Sequence, residues 1–328
     1  MQIVLAPLSS MLRILAIRVC AFPGRPYDPA PMLGTRPGNL VLQLGVVVLS
    51  LIWGSTWLVI RGGLEDLPPL SSCAVRFVLA GAVFAGIAPR LARVEGGTTP
   101  TWNMRLVYGV LVILIPYAVI YWAETTLPSG LVSVLWSIYP VLLAFSAHVL
   151  LPSERLRPRQ WLGLVLGFAG VASMLWTDVA SIGPEAVPVA LVLLLSPLSS
   201  AIGTPLLKRT NAGTSSALLN RDGILVGAVL SSALALALER DSETTWSSSA
   251  VLSVLYLALV GTVLAFGLYF WLLRHAPATY LSVIAFLVPL VALSLGAAVG
   301  GEPVFVHTLG GMALILGGVG LVVRGKRR

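Results

Sequence analysis

The chain has 328 residues, of which 57% are hydrophobic and 10% charged, with a mean hydropathy of +0.93. Soluble domains carry about 25% charged residues, so no water-soluble fold can hide this much apolar surface. The net charge of +8 would suit nucleic acid as a partner, but the cations gather in alternate loops, which points to membrane orientation and contact with anionic lipid headgroups instead.

From the N-terminus, residues 1–39 read as a poorly ordered cytoplasmic tail with Arg13 and Arg18 inside an apolar stretch and a Pro/Gly-rich run from Pro23 to Pro37. A secretory signal places its charge before the apolar core, which this segment does not do. It reads either as an interfacial amphipathic tail or as an extension upstream of a functional start at Met32. Apolar runs follow at 40–60, 70–88, 105–122, 129–151, 160–177, 187–207, 216–238, 250–272, 279–300 and 304–323. Most reach the roughly 20 residues that a helix needs to cross about 30 Å of hydrocarbon. The sequence therefore predicts an all-α integral membrane protein with ten transmembrane helices, ending in a basic cytoplasmic tail at 324–328.

Charge sets the expected orientation. With the N-terminus in the cytoplasm, Arg13, Arg18, Arg25, Arg36, Arg90, Arg93, Arg105, Arg155, Arg157, Arg159, Lys208, Arg209, Arg274 and the C-terminal basic cluster all fall inside. Arg61 and Arg240 fall outside, while Arg76 and Arg221 sit within or beside helices. Both termini are thus expected in the cytoplasm of a bacterial-type inner membrane. Cys20 and Cys73 would lie in different environments, so no disulfide is expected.

Residues 108–170 recur at 257–318. Trp122, Pro128, Ser133, Pro140, Glu154, Gly163 and Gly170 match Trp271, Pro277, Ser282, Pro289, Glu302, Gly311 and Gly318, at an offset of 149 that becomes 148 from the glutamate onward. The loop that carries Arg155, Arg157 and Arg159 in the first copy reads Pro303-Val304-Phe305-Val306-His307 in the second. Loss of those arginines puts the two loops on opposite sides of the bilayer. Two five-helix repeats, 40–177 and 187–323, are accordingly inverted relative to each other, the architecture of secondary transporters. The first two helices of each half correspond less clearly: an offset of 147 sets Arg61 against Lys208, and one of 145 sets Arg76 against Arg221.

Trp53-Gly54-Ser55-Thr56, then Arg61, Pro68-Pro69 and Arg76, resemble the opening helices of EamA-type members of the drug/metabolite transporter superfamily. The stretch from Gly261-Thr262 through Tyr269, Trp271, Pro277, Pro289 and Gly300-Gly301-Glu302 to Gly310 and Gly317-Gly318 resembles the same family's C-terminal half. Ala123-Glu124 with Pro128-Ser129-Gly130 is similar to a subset of exporters, with Thr125 standing where a glutamine is expected. The resemblance covers about residues 40–323. It implies a ten-helix inner-membrane carrier that moves small metabolites, often amino acids or amphipathic compounds, usually outward.

A carrier needs a hydrated cavity between its halves, lined by residues that are costly against lipid. Small and hydroxyl residues that could line it are Ser55, Thr56, Ser133, Ser137, Ser196, Ser199, Ser200, Thr204, Thr262 and Ser282. The aromatics are Trp57, Tyr117, Tyr121, Trp136, Tyr139, Phe266, Tyr269, Phe270 and Phe286. Tyr117 and Tyr121, like Phe266 and Phe270, are four apart and share a helix face. The plainer alternative is that hydroxyls bond their own helix backbone and aromatics simply pack or anchor.

Arg76 either snorkels to the outer headgroups or faces the cavity and holds a substrate carboxylate or opposing backbone. Glu124 is the proton-coupling candidate by elimination, since the membrane core offers almost no other titratable group; the alternative is a solvated carboxylate in a connection. Arg221 with Asp222 reads as a local interfacial ion pair. Glu154 and Glu302 read as carboxylates at the N-terminal ends of the helices that follow them. Pro140 and Pro289 are hinge candidates, or else static kinks. The stripes Gly163/Gly167/Gly170 and Gly310/Ala313/Gly317 read as close helix contacts, in the scaffold or in a homodimer.

Three scattered histidines, His148, His275 and His307, give no metal-ligand or catalytic pattern, so no cofactor, no metal and no enzymatic activity are expected. The rival reading is a passive facilitator or channel for a small metabolite; an integral-membrane enzyme is the more distant one. The expected partners are a small-molecule substrate and lipid. The inverted topology predicts that single cysteines at Arg157 and Pro303, in a background lacking Cys20 and Cys73, react with an impermeant maleimide from opposite sides of sealed vesicles. Labelling of both from one side would refute the inversion.

Overall fold

A computed structural model of the chain describes residues 39–151, 155–176, 182–210, 213–275 and 284–324. The described residues form ten consecutive helical rods and no strand; Thr98 and Thr214 make one isolated bridge. The first five are α1 (Asn39–Gly63), α2 (Pro69–Glu95), α3 (Trp102–Val107, Tyr108–Leu114 and Ile115–Ala123 in succession), α4 (Ser129–Trp136 and Tyr139–Leu150) and α5 (Pro158–Met174). Then come α6 (Ala186–Leu193 and Leu195–Thr210), α7 (Ser216–Leu238), α8 (Ser248–Leu255, Tyr256–Leu264 and Ala265–His275), α9 (Ile284–Ala298) and α10 (Val306–Arg324). Seven of them, α1 to α4 and α6 to α8, are long and apolar enough to cross a membrane. Over its described residues α9 is shorter, as is the apolar part of α10 (Val306–Val322), and α5 has 17 residues.

Two packed pairs relate the repeats. In α5, a Cβ on Gly163 would stand 2.7 Å from the Gly318 carbonyl oxygen, and one on Gly170 would stand 2.7 Å from that of Gly311. Gly163 is the sequence equivalent of Gly311, and Gly170 of Gly318, so each contact recurs with the halves exchanged. That is an isologous, antiparallel contact about a two-fold axis, and only glycine permits backbones this close. The interface lies one residue away from the stripe expected on α10: nothing stands within 4 Å of a Cβ on Gly310 or Gly317. The reason is periodicity. Gly311, Ile315, Gly318 and Val322 recur at helical spacing on the side that meets α5, and the contact lies within one chain.

The other self-exchanging pair is α2 with α7. The Glu239 carboxylate, just past α7, accepts the Leu70 and Ser71 backbone N–H groups at 2.8 and 2.7 Å and the Ser71 hydroxyl at 2.8 Å. At the opposite end the Glu95 carboxylate, last in α2, accepts the N–H groups of Ser216 and Ala217 at 3.1 and 3.0 Å and the Ser215 hydroxyl at 3.0 Å; it also bonds the Ser216 hydroxyl. Each helix thus ends in a carboxylate that caps the start of its antiparallel partner, where the helix dipole favours negative charge. Ser71 and Ser216 match at the same offset of 145 that sets Arg76 against Arg221.

The remaining neighbours show the same exchange. The α1 with α9 packing matches α6 with α4, and α1 with α8 matches α6 with α3. Arg155 to Arg157 lie at the end where α10 finishes, as the Gln160 side chain donates to the Val322 carbonyl at 3.0 Å. Glu302 lies at the opposite end, among Arg61, Ser129 and Gly130. The two equivalent loops therefore occupy opposite faces. Among the described residues the fold is all-helical, with its halves antiparallel.

The two prolines differ. Before Pro140 the helix is interrupted at Ser137–Ile138, and the proline opens the second piece of α4. Pro289 stands inside the uninterrupted α9. The equivalent prolines thus stand in different local backbones. Residues 1–38, Glu154 and Ser282 lie outside the described residues.

The packing predicts that Gly311→Leu or Gly170→Leu destabilises the protein by at least the roughly 1–3 kcal/mol of an overpacked core, whereas Gly310→Ala and Gly317→Ala leave its melting temperature in detergent nearly unchanged. Equal effects at the two sets of positions would contradict this interface.

Candidate functional site

Arg76 lies about two turns inside α2, on the side formed by Cys73, Phe77 and Ala80, all buried. It does not snorkel. The side chain is 2% exposed, with Nε donating to Thr262 Oγ1 at 3.0 Å and Nη1 to Tyr121 Oη at 3.4 Å. Its Cζ sits 4.8 Å from the Tyr117 ring centroid and 5.3 Å from that of Phe77, at cation–π distance. Among the described residues no carboxylate forms an ion pair with it. A guanidinium offers five N–H donors, and these two side-chain acceptors use two of them. Tyr117 and Tyr121, one turn apart on α3, thus reach the same cation. A buried cation without a counter-ion is expensive, so the centre of the protein is poised for an anion.

Thr262 comes from a stretch of α8 with an unusual backbone. Tyr256–Leu264 is π-helical, and so is Tyr108–Leu114 in α3, at the equivalent place in the first repeat. The wider turn lets Thr262 Oγ1 bond the Leu257 carbonyl five residues back at 2.8 Å while accepting from Arg76. Gly261 beside it leaves room for Thr56, whose Cγ2 would be 2.8 Å from an added Cβ. Such π-turns occur often at functional sites, and neither has a local sequence signal.

Next to this group Trp57 faces Trp136 at 6.2 Å between centroids, and Trp136 stacks on Tyr139 at 5.0 Å. The Trp136 indole N–H donates to Ser196 Oγ at 3.0 Å, and Tyr139 Oη shares a hydrogen bond with Thr204 Oγ1 at 3.1 Å. On the other flank Ser55 Oγ and Tyr256 Oη share one at 2.7 Å, and Trp53 packs against Phe266 and Tyr269. Every one of these polar links joins one repeat to the other.

The remaining expected pathway residues divide. Ser55, Thr56, Ser137, Ser199 and Thr204 also donate to carbonyls three or four residues back in their own helices. Ser133 is buried with its hydroxyl unpartnered, and Ser200 is buried on α6. Phe286 is turned away from Arg76 and stands near Gly320 of α10. The Phe270 side chain and Ser282 lie outside the described residues. Arg76, Tyr121, Trp57 and Thr262 lie at this centre, each under a tenth exposed.

Glu124 comes directly after α3. It is 1% exposed, and both carboxylate oxygens are buried without a hydrogen-bond partner. Burial, reinforced by the Glu302 carboxylate, pushes its carboxyl well above the ordinary carboxylate range against the opposing pull of Arg61 and Arg76. The alternative of a solvated carboxylate fails because Arg61 closes the turn: its Nη1 donates to the carbonyls of Glu124 and Leu127 at 2.8 and 2.7 Å, and its Nε lies 3.7 Å from Glu302.

Glu302 does not serve α10. Its carboxylate accepts the Ser129 and Gly130 N–H groups at 2.8 and 2.9 Å, capping α4 of the other repeat. Gly301, with φ of +63°, turns the chain toward it. Gly296 leaves the space, since a Cβ there would run into Glu302 Oε2. Arg221 pairs with Asp222 at 2.7 Å, and Arg105 of α3 joins them at 3.0 Å. Tyr256, Asn220 (which bonds Tyr108) and the capping Glu95 and Glu239 are site or inter-repeat residues that sequence reasoning passed over. The two glutamates could have been found as lone carboxylates closing apolar runs.

Two antiparallel helical repeats that meet around a buried cation define a polytopic protein of the kind that membrane transporters form. The family model described as the EamA-like transporter family matches residues 41–176 and 187–324. The chain belongs to that family and is a multi-pass membrane transporter. It is 29% identical over 280 residues, 85% of this chain and 89% of the relative, to the "uncharacterized inner membrane transporter YedA" of Escherichia coli K12. It is 28% identical over 305 residues, 87% of this chain and 95% of the relative, to the "probable amino-acid metabolite efflux pump" of Salmonella typhimurium LT2. A solved crystal structure, 22% identical, aligns with 89% of this chain and 100% of its own at a TM-score of 0.62, so the fold is shared.

Thr262→Val leaves the Arg76 Nε–H buried without an acceptor, and is expected to lower stability by about 1–3 kcal/mol; Thr262→Ser restores most of it. Thermal or denaturant melts of the three proteins in detergent make the comparison. A valine variant as stable as the parent would remove Thr262 from the site.

Proposed function

We propose that this protein is an inner-membrane secondary transporter with ten membrane crossings and both termini cytoplasmic, exporting small metabolites, amino acids or amphipathic compounds, by alternating access between its repeats. The observation that carries the reading is Arg76, a guanidinium sealed between the repeats with aromatic rings and hydroxyls around it and no carboxylate beside it. A scaffold would have no use for so costly a group, whereas a carrier offers it to a substrate. The efflux-pump relative supports the substrate class. The bonds that join the repeats at the Arg61–Glu302 face supply contacts that must part for outward opening, and the broken helix ahead of Pro140 supplies a bend. Glu124 is the proton-coupling group, and its titration links transport to the pH gradient.

The test is counterflow of radiolabelled leucine, phenylalanine and threonine in proteoliposomes, with and without an imposed pH gradient. Arg76→Ala and Arg76→Lys are expected to abolish or greatly weaken transport while the protein remains folded, and Glu124→Gln to transport without responding to the gradient. Normal affinity and rate in a folded Arg76→Ala would reject the substrate role, and a normal gradient response in Glu124→Gln would reject coupling there. Flux insensitive to the gradient in the parent itself marks a passive facilitator.

A further inference from the structure

In a carrier built this way, two buried ionisable groups are left unmatched. Arg76 has no carboxylate beside it among the described residues, and the Glu124 carboxylate has no donor. One residue is common to their surroundings. Arg76 Nη1 reaches Tyr121 Oη, and Glu124 comes three positions after Tyr121, about one helical turn further along α3. Resting on the carrier reading above, we propose that Glu124 and the carboxylate of an anionic substrate are rivals for Arg76, so that the substrate anion binds when Glu124 is protonated and the two are carried together.

Charge balance decides which states can exist. With Glu124 neutral, the centre holds one positive charge and has room for one negative partner. With Glu124 ionised, the chain supplies that partner itself, and a substrate carboxylate would bring a second negative charge to one guanidinium in a medium where like charges repel strongly. The other charged groups facing Glu124 are already engaged with one another or with the backbone. Arg61, from α1, is engaged by two backbone carbonyls and by Glu302. Glu302, from the α9–α10 connection, is held by the N–H groups that open α4. Tyr121 of α3 and Ser129 of α4 are neutral. Because coupling is reciprocal, the anion in turn raises the affinity of Glu124 for its proton. Anion and proton move in one direction with no net charge, so export runs down the substrate's own outward gradient and an inward proton gradient opposes it; Tyr117, Phe77 and Trp57 favour an acid with an apolar or aromatic body.

The probes are 3-phenylpropionate and 4-phenylbutyrate, each set against its uncharged amide, with binding to the full chain in nanodiscs followed by tryptophan fluorescence over a pH range in which the carboxylates stay ionised. The parent is expected to bind the acids in preference to the amides. Affinity rises by up to about tenfold for each pH unit lowered through the Glu124 transition, the limit for one linked proton. Glu124→Gln binds the acids at every pH with the parent's low-pH affinity, and Arg76→Gln no longer separates acid from amide. In proteoliposomes a pH gradient drives acid flux, and a clamped membrane potential does not.

Affinity that falls as pH is lowered would overturn the proposal, because it means that proton and anion compete. So would a Glu124→Gln protein that behaves like the parent at high pH, or acids and amides that bind alike throughout. These outcomes leave the carrier reading intact as long as counterflow is seen. Anion binding that is linked to pH, without counterflow of any solute, would strike the carrier reading alone. If Arg76→Gln fails to fold, the Glu124→Gln titration still decides.

Discussion

The antiparallel meeting of the two repeats is the constraint on which the rest of the structure depends. In hydrocarbon a backbone group cannot turn to water, so each helix end must be satisfied by the protein or reach the headgroups. Turning one repeat over places helix starts of one half beside helix ends of the other. A carboxylate that closes one helix can then cap the next repeat's helix, which is what Glu95, Glu239 and Glu302 do. The same inversion brings Gly163 to Gly318 and Gly170 to Gly311, where two backbones touch without side chains between them. A parallel duplication would put like helix ends together and lose both devices.

Within that frame the centre departs from the rule that governs the periphery. Along the α5–α10 and α2–α7 contacts, the halves are joined by small side chains and by carboxylate caps. At the crossing of α2, α3 and α8 the protein instead buries a guanidinium with partial solvation and, one turn beyond it, a carboxylate with none. Local rules broken in a fold that is otherwise consistent mark a working site. The paired π-helical turns recur at equivalent places in the two repeats, and the one in α8 brings Thr262 to the cation.

Much of this was legible in the chain. The landmarks Trp122 to Gly170 against Trp271 to Gly318 revealed the duplication, and the arginines lost between the two loops revealed its inversion. Arg76 and Glu124 stood out because charge is scarce and costly in so apolar a sequence. Their surroundings were not legible. The periodicity of α10 carries Gly310-Gly311 and Gly317-Gly318 as adjacent pairs, and composition cannot say which member of each pair faces α5. Glu302 was assigned to the helix next to it in sequence, whereas its partners come from 172 and 173 residues away. Glu124 looked solvated because a turn before a proline usually is, and the cover supplied by Arg61 has no sequence signature.

What the sequence determined by itself is the class and the symmetry: an apolar, duplicated chain whose charges fix the sense of each half, because hydrophobicity and repeat spacing are properties of residues in order. What only the tertiary structure decided is which groups meet. Caps, cross-repeat hydrogen bonds and the lack of an ion pair at Arg76 among the described residues depend on distances between residues far apart in the chain. Those distances are set by how two antiparallel sets of helices pack, and no local pattern encodes them.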